Sequence, residues 1–282
     1  MNIGLLHPGE MGAPIGAAMI ANAEAVMWLP AGRSQASQER AARANLTAAD
    51  SLNALCRRCQ VIVSVCPPHG AVDTAKAVVN SSFSGIYVEA NAISPEKTLR
   101  IQEMLQDKGI GMVDGAIIGG PAWPQESNSK ANPSARSQIY LSGPEADQII
   151  EIFAGSSFET TCLSQAVGDA SALKMTFAAY TKGSTALLAA ILSVAEYYGV
   201  RDALQSQWGE TMTRQTHHRL ITNSSKAWRF SGEMKEIAST FNSAGNSDGF
   251  HLAAADTFDK LLAHKDWKQA PSLNEILDSL KK

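Results

Sequence analysis

The chain opens Met1-Asn2-Ile3-Gly4-Leu5-Leu6-His7-Pro8-Gly9-Glu10-Met11-Gly12, and these twelve residues decide the fold. Ile3, Leu5 and Leu6 form the short apolar run of a buried strand. The run stops at a turn containing Pro8 and Gly9, and a helix-like run follows from Ala13 to Asn22. A strand turning tightly into a helix directs unpaired backbone N–H groups and the positive end of the helix dipole at one spot, which suits a phosphate. Glycines there let the backbone come close to a pyrophosphate. The spacing is His7-x-Gly9-x-x-Gly12, with a histidine where the first glycine of G-x-G-x-x-G stands. On the glycines alone, an ordinary strand-to-helix turn fits equally. The candidate cofactor contacts are His7, Pro8, Gly9, Glu10, Met11 and Gly12.

Working outward, Ala25 to Leu29 reads as a second buried strand, ending at Pro30-Ala31-Gly32-Arg33-Ser34. This lies about twenty residues beyond the glycine turn, where a dinucleotide fold meets the adenosine ribose. An NAD site usually places Asp or Glu there, and this strand end has neither. Arg33 can pair with a 2′-phosphate and Ser34 can donate to one, so the expected cofactor is NADP. A polar helix is expected over Ser34 to Ala44 and a short one over Asp50 to Cys59.

Gln60 to Cys66 is β-branched and apolar, as in a strand covered on both faces. It ends in the rigid loop Pro67-Pro68-His69-Gly70. Ligands of open α/β sheets bind along that edge, so Cys66, Pro67 and Pro68 join the cofactor candidates. His69 is either a further contact or a solvent-facing loop residue. Ile86 to Glu89 predicts another strand, followed by a helix over Glu96 to Lys108 with Ser94 as its cap. Gly111 to Asp114 starts a strand, and Asp114 to Gly120 is expected to be a loop. Pro121 to Arg136 is rich in Pro, Ser and Asn, a composition shared by active-site loops and plain surface insertions. Gln138 to Ser142, a helix over Pro144 to Ala154, and Phe158 to Leu163 complete an alternation that predicts a doubly wound, mainly parallel sheet.

At Gln165 the pattern changes. Val167 to Tyr198 is apolar or small on nearly every face, which predicts a long helix buried all round, about 45 Å in length. Further helices are expected around 200–222, 230–241, 249–264 and 272–281. The resulting organisation is an α/β Rossmann domain over residues 1–164, then an all-helical domain over 165–282 led by the long helix. Covering that apolar rod calls for a second subunit, hence an expected homodimer through the helical domain.

The bulk numbers are those of an ordinary soluble globular protein: 282 residues, 45% hydrophobic and 18% charged, with a net charge of −3. That charge gives no case for nucleic acid or for an anionic membrane. The most apolar segment, Gly183 to Ala195, is too short to cross a bilayer. No secretory pattern opens the chain, so a cytoplasmic location is expected. Cys56-Arg-Arg-Cys59 has no second pair to complete a zinc site; reduced thiols on a surface helix are expected, with no metal. The adjacent His217 and His218 cannot share a helix face, and His251 is a candidate to enter the pocket.

Four segments in order resemble the β-hydroxyacid dehydrogenase and phosphogluconate dehydrogenase-like superfamily, which includes the imine reductases. Gly9-Glu10-Met11-Gly12 is similar to its Gly-x-Met-Gly, and Asn91-Ala92-Ile93-Ser94-Pro95 to its Asp-x-Ser-x-x-x-Pro loop. Asp114-Gly115-Ala116-Ile117-Ile118-Gly119-Gly120 is similar to its substrate loop. Gly168-Asp169-Ala170-Ser171-Ala172-Leu173-Lys174 resembles the start of the helix bearing the catalytic lysine. Ser231 to Ile237 and Gly249-Phe250-His251 resemble a branch whose helical domain has no known function.

The resemblance implies hydride transfer between a nicotinamide and a small carbonyl or alcohol, hydroxyacid-like, with Lys174 as general acid/base. It implies a substrate site at Asn91, Ile118, Gly119, Gly120 and Phe177, with Asn91 also touching the cofactor. A lysine within an otherwise apolar helix is itself unusual, because an unpaired buried charge is costly. Lys182 is a second candidate. Ile118 stands where the family has Ser, and Phe177 where it has Asn, so the pocket is greasier. Imine reduction is an alternative, as is a non-catalytic NADP-binding sensor or scaffold.

Overall fold

The computed structural model describes residues 1–124, 137–267 and 269–281. The polar segment Pro121 to Arg136 therefore lies outside the described residues from position 125 onward. The chain divides into two compact units, Met1–Lys174 and Met175–Lys282, and the division falls inside the long helix.

The first unit is built on one eight-stranded sheet in the order β3-β2-β1-β4-β5-β6-β7-β8. The strands are β1 (Asn2–Leu6), β2 (Ala25–Trp28), β3 (Thr47–Ala48), β4 (Val61–Ser64), β5 (Ile86–Glu89), β6 (Gly111–Ile118), β7 (Gln138–Ser142) and β8 (Glu159–Ser164). All neighbours are parallel except β6 and β7, which pair antiparallel from Asp114↔Ser142 to Ile118↔Gln138. β1 lies between β2 and β4, so the strand order reverses there and leaves a crevice beyond its C-terminal end, the place where such sheets bind ligands.

The crossovers are the helices α1 (Gly12–Met19), α2 (Gln35–Arg43), α3 (Leu52–Arg58), α4 (Ala71–Val79), α5 (Pro95–Gln106) and α6 (Ala146–Ile152). Ser34, Ser51 and Ser94 cap α2, α3 and α5, each accepting from a backbone N–H three residues on. Ile3, Leu5, Val26, Val61, Ile62, Val63 and Val88 are all at most 4% exposed, as expected for strands covered on both faces.

Three sequence expectations are corrected here. Asp114 to Gly120 is not a loop: β6 continues to Ile118, because β7 pairs with it that far. The two-residue β3 carries no pattern and was not expected. Cys56 and Cys59 are not surface thiols but buried, 2% and 6% exposed, packed with Leu55, Ile62 and Val78. Burial pushes both thiols up, Cys59 to about 12.

The long helix is α7 (Asp169–Tyr197). It is not buried all round: Phe177, Tyr180, Leu187, Val194 and Tyr197 are 46–77% exposed. By length and composition alone it could also cross a membrane, although its apolar core segment is short, because the helix extends well beyond that segment. After it come α8 (Arg201–Ser224), α9 (Ala227–Ser243), α10 (Gly249–Asp259) and α11 (Leu273–Leu280). α8 is broken at Gly209, whose φ of 74° no helix contains. In the second unit α9 and α10 pack closely, with Phe230 and Phe258 rings 5.4 Å apart, edge to face. A capping box of Ser272 and Glu275 starts α11.

Candidate functional site

The turn after β1 has the geometry a dinucleotide needs. His7 takes φ +74°, the left-handed region normally left to glycine, so the backbone follows the fingerprint path although the residue does not. Gly12 has no alternative: a Cβ there would lie 2.2 Å from the His7 carbonyl oxygen. Gly9 is the opposite case, with nothing within 4 Å of where its Cβ would be. A backbone bare at Gly9 and pressed close at Gly12, at the start of α1, is a cradle that admits a pyrophosphate.

The neighbouring strand ends converge on it. Arg33 leaves the end of β2 and influences both His7 and Cys66 electrostatically. Burial first, then the Arg33 cation, holds the His7 imidazole down at about 4, so it is neutral near pH 7. Burial, reinforced by the Glu89 carboxyl, pushes the Cys66 thiol up to about 11. Nδ1 of His7 and Nε of Arg33 are both buried and lack a hydrogen-bond partner among the described residues. Ser34, expected at the same phosphate, caps α2: its oxygen accepts from Ser37 N at 3.3 Å, and as a hydroxyl it keeps an O–H to donate. Pro68 is buried and His69 is exposed.

Asn91 sits deeper, 3% exposed. Its Oδ1 accepts a short hydrogen bond from Cys66 N, and its Nδ2 donates to Ser64 Oγ at 3.1 Å. Its own N–H donates to Glu89 Oε1 at 3.0 Å. The amide thus ties the end of β4 to the loop after β5. Glu89 is wholly buried, and desolvation raises it to about 8, with Asp114 adding to the effect.

Sequence reasoning missed what Asp114 does. Its Oδ2 accepts from Gly168 N at 3.0 Å, Ser171 N at 2.8 Å and Ser142 Oγ at 3.3 Å, and its Oδ1 accepts from Ser171 Oγ at 2.7 Å. Thr98 adds a 2.8 Å contact to Ser171 Oγ. A carboxylate on β6 therefore caps the first turn of α7, satisfying the orphan donors of a helix start from a remote strand. Desolvation nevertheless keeps Asp114 above the ordinary carboxylate range. One turn and a little further along α7, the Lys174 amine donates to Ile117 O at 2.5 Å, at the C-terminal end of β6.

Ile118-Gly119-Gly120 follows that carbonyl. Gly119 has φ +121°, and a Cβ on it would meet Ser137 Oγ at 2.5 Å, while the Ser137 hydroxyl donates to Gly120 O at 2.6 Å. The structure thus gathers His7, Arg33 and Cys66 at one end of the crevice, and Lys174 with Ile118 to Gly120 at the β6 end. The two ends are three strands apart, about 14 Å at some 4.8 Å per strand.

Phe177 belongs to the second unit, 46% exposed. Lys182 is in an ion pair there with Glu233 at 2.7 Å, both largely covered. His251 does not reach out as a pocket residue within its unit: it is 5% exposed and packs its ring 4.2 Å from that of Phe241. His217 contacts Gln205 at 2.8 Å across the break in α8. Among the described residues no cluster of three or more His, Cys, Asp or Glu is placed to hold a metal ion.

Strand order, glycine turn and crevice define a dinucleotide-binding protein of the Rossmann class. Residues 2–140 match the NAD binding domain of 6-phosphogluconate dehydrogenase, and residues 195–261 match a domain of unknown function, DUF1932. The two matches together bear out the resemblance to the β-hydroxyacid dehydrogenase and phosphogluconate dehydrogenase-like superfamily and to its branch with that C-terminal domain. The chain is 28% identical over 213 residues to an uncharacterized 28.5 kDa protein of Methanothermus fervidus, covering 75% of this chain and 77% of that one. The solved structure of the conserved protein MTH1747, of unknown function and structurally similar to 3-hydroxyacid dehydrogenases, is 26% identical with a TM-score of 0.64. That match covers 94% of this chain and 98% of the other. Mycobacterium tuberculosis 3-hydroxyisobutyrate dehydrogenase, solved with L-serine, shares the fold at 16% identity and a TM-score of 0.67, over 100% and 99% of the two chains.

Proposed function

We propose that this protein is an NADP-dependent oxidoreductase interconverting a small hydroxyacid-like alcohol and its carbonyl, with Lys174 exchanging the proton. When bound, the nicotinamide supplies or takes up the hydride. The turn from His7 to Gly12 receives the pyrophosphate, and Arg33 with Ser34 receives the 2′-phosphate. Cys66, Pro67, Pro68 and Asn91 wall the crevice between them. Lys174 Nζ holds the proton beside the substrate oxygen and donates it on reduction, taking it back on oxidation. Gly119 and Gly120, both exposed, offer their backbone N–H groups to the substrate, while Ser137 occupies the Gly120 carbonyl.

The observation that carries this reading is the position of the Lys174 amine at the end of β6, on a helix fastened to the sheet by Asp114. The apolar Ile118 and Phe177 favour a second reading, reduction of an imine that Lys174 protonates at nitrogen. A cytoplasmic homodimer completes the proposal, supported by the exposed Tyr180, Leu187, Val194 and Tyr197 along α7.

NADPH oxidation against 2-oxo acids, 3-oxo acids, aldehydes and cyclic imines identifies the substrate class. Lys174→Ala is then expected to lower kcat by roughly 10²–10⁴-fold, the usual contribution of a positioned acid. Undiminished turnover overturns the assignment of Lys174. NADPH binding without turnover of any substrate points instead to a non-catalytic sensor.

A further inference from the structure

A histidine has replaced the first glycine of the dinucleotide turn, and the backbone does not require it. His7 keeps a φ of +74°, where glycine is the least strained residue and a side chain costs about 1–2 kcal/mol. The reason for a side chain here lies in the imidazole.

β1 and β2 are adjacent parallel strands, in register at Leu5↔Trp28, so the loops leaving them run side by side. His7 comes from one loop and Arg33 from the other. Among the described residues, neither His7 Nδ1 nor Arg33 Nε, both buried, has a hydrogen-bond partner. A buried polar group left unpaired costs roughly 1–3 kcal/mol, and two of them on facing loops mark a place for a ligand rich in acceptor oxygens. The Cys66 thiol, which faces Arg33, is held protonated by burial and so sets no negative charge against the cation. A neutral imidazole beside Arg33 carries one N–H, which here faces the Leu6 carbonyl and can turn to a ligand oxygen without adding repulsion.

We propose that His7 is a specificity-determining residue that reads the 2′-phosphate of NADP together with Arg33, the guanidinium supplying charge and the imidazole one directed N–H. This rests on the NADP reading above and extends it to a residue that the glycine pattern treats as a defect. The discrimination comes from charge: a hydrogen bond to a phosphate oxygen is about twice as strong as one to the neutral 2′-hydroxyl of NAD.

The test measures dissociation constants for NADPH and NADH by the fluorescence of the bound cofactor, with no turnover required. His7→Gly restores the fingerprint and relieves the left-handed strain, so it folds at least as well as the parent. It is expected to weaken NADPH binding about tenfold while leaving NADH within twofold. His7→Asn, which tolerates the same φ and retains an N–H, recovers part of the loss. Equal weakening of both cofactors means that His7 only shapes the turn, and overturns the inference. So does unchanged NADPH binding in His7→Gly, and if Arg33→Ala still loses NADPH the cofactor assignment stands without His7. A parent protein that binds NADH as tightly as NADPH removes both.

Discussion

Replacing Glu89 by Gln should stabilise the protein at high pH and leave it almost unchanged at low pH. Glu89 is wholly buried at the end of β5, beside the equally buried Tyr87, and its Oε1 accepts from Asn91 N. Burial, with the Asp114 charge added, raises the carboxyl from 4.5 to about 8. A carboxyl raised in the folded state binds its proton more tightly there than in the unfolded chain. Its contribution is therefore most favourable below pH 4.5 and is lost as pH climbs towards 8. At about 1.36 kcal/mol per pH unit, the loss is on the order of 4 kcal/mol at pH 8 and under about 1 kcal/mol at pH 5. Glutamine copies the protonated acid, keeping an oxygen for Asn91 N and never ionising. Thermal melts followed by circular dichroism at pH 5 and pH 8 check this. The Glu89→Gln protein should melt about 8 °C or more above the parent at pH 8 and within a few degrees of it at pH 5. An advantage of equal size at both pH values, or none at pH 8, refutes the reasoning that Glu89 titrates in this range.

Two further substitutions probe the frame around the site. Asp114→Ala strips the acceptor from Gly168 N and Ser171 N at the start of α7 and should cost about 3 kcal/mol, part of the loss being returned by removing a buried charge; urea unfolding reads it. The same variant should lose turnover beyond what its stability explains, because Lys174 rides on that helix. Gly12→Ala forces α1 away from the His7 carbonyl, a 2.2 Å contact that only backbone movement relieves, and should abolish cofactor binding in a fluorescence titration while the helical content persists.

What was legible in the sequence is what is local. The strand, the tight turn and the helix of residues 2–22 announce themselves because apolar spacing and glycine act on neighbours, and the alternation that follows fixed the sheet class in the same way. The errors came from partners distant in the chain. Asp114 to Gly120 looks like a loop because it contains three glycines, yet β7, more than twenty residues later, pairs with it. Nothing near Asp114 reveals that its carboxylate is needed by backbone amides 54 and 57 positions on. Cys56 and Cys59 are three apart and so share a helix face, and that spacing was the available sign of burial. The apolar character of α7 was legible, but not which of its side chains would remain exposed in one chain.

The fastening of α7 by Asp114 separates two tasks that active sites often entangle. The amine of Lys174 owes its position to the first turn of α7, which a buried strand carboxylate holds in place. Ile118 to Gly120, proposed above to line the substrate site, lie at and just past the end of β6 and carry no part of that anchorage. On the function proposed above, such a design lets the walls be rewritten for a new molecule while the amine keeps its station, which gives a physical route by which one scaffold can hold to a single kind of chemistry across dissimilar substrates.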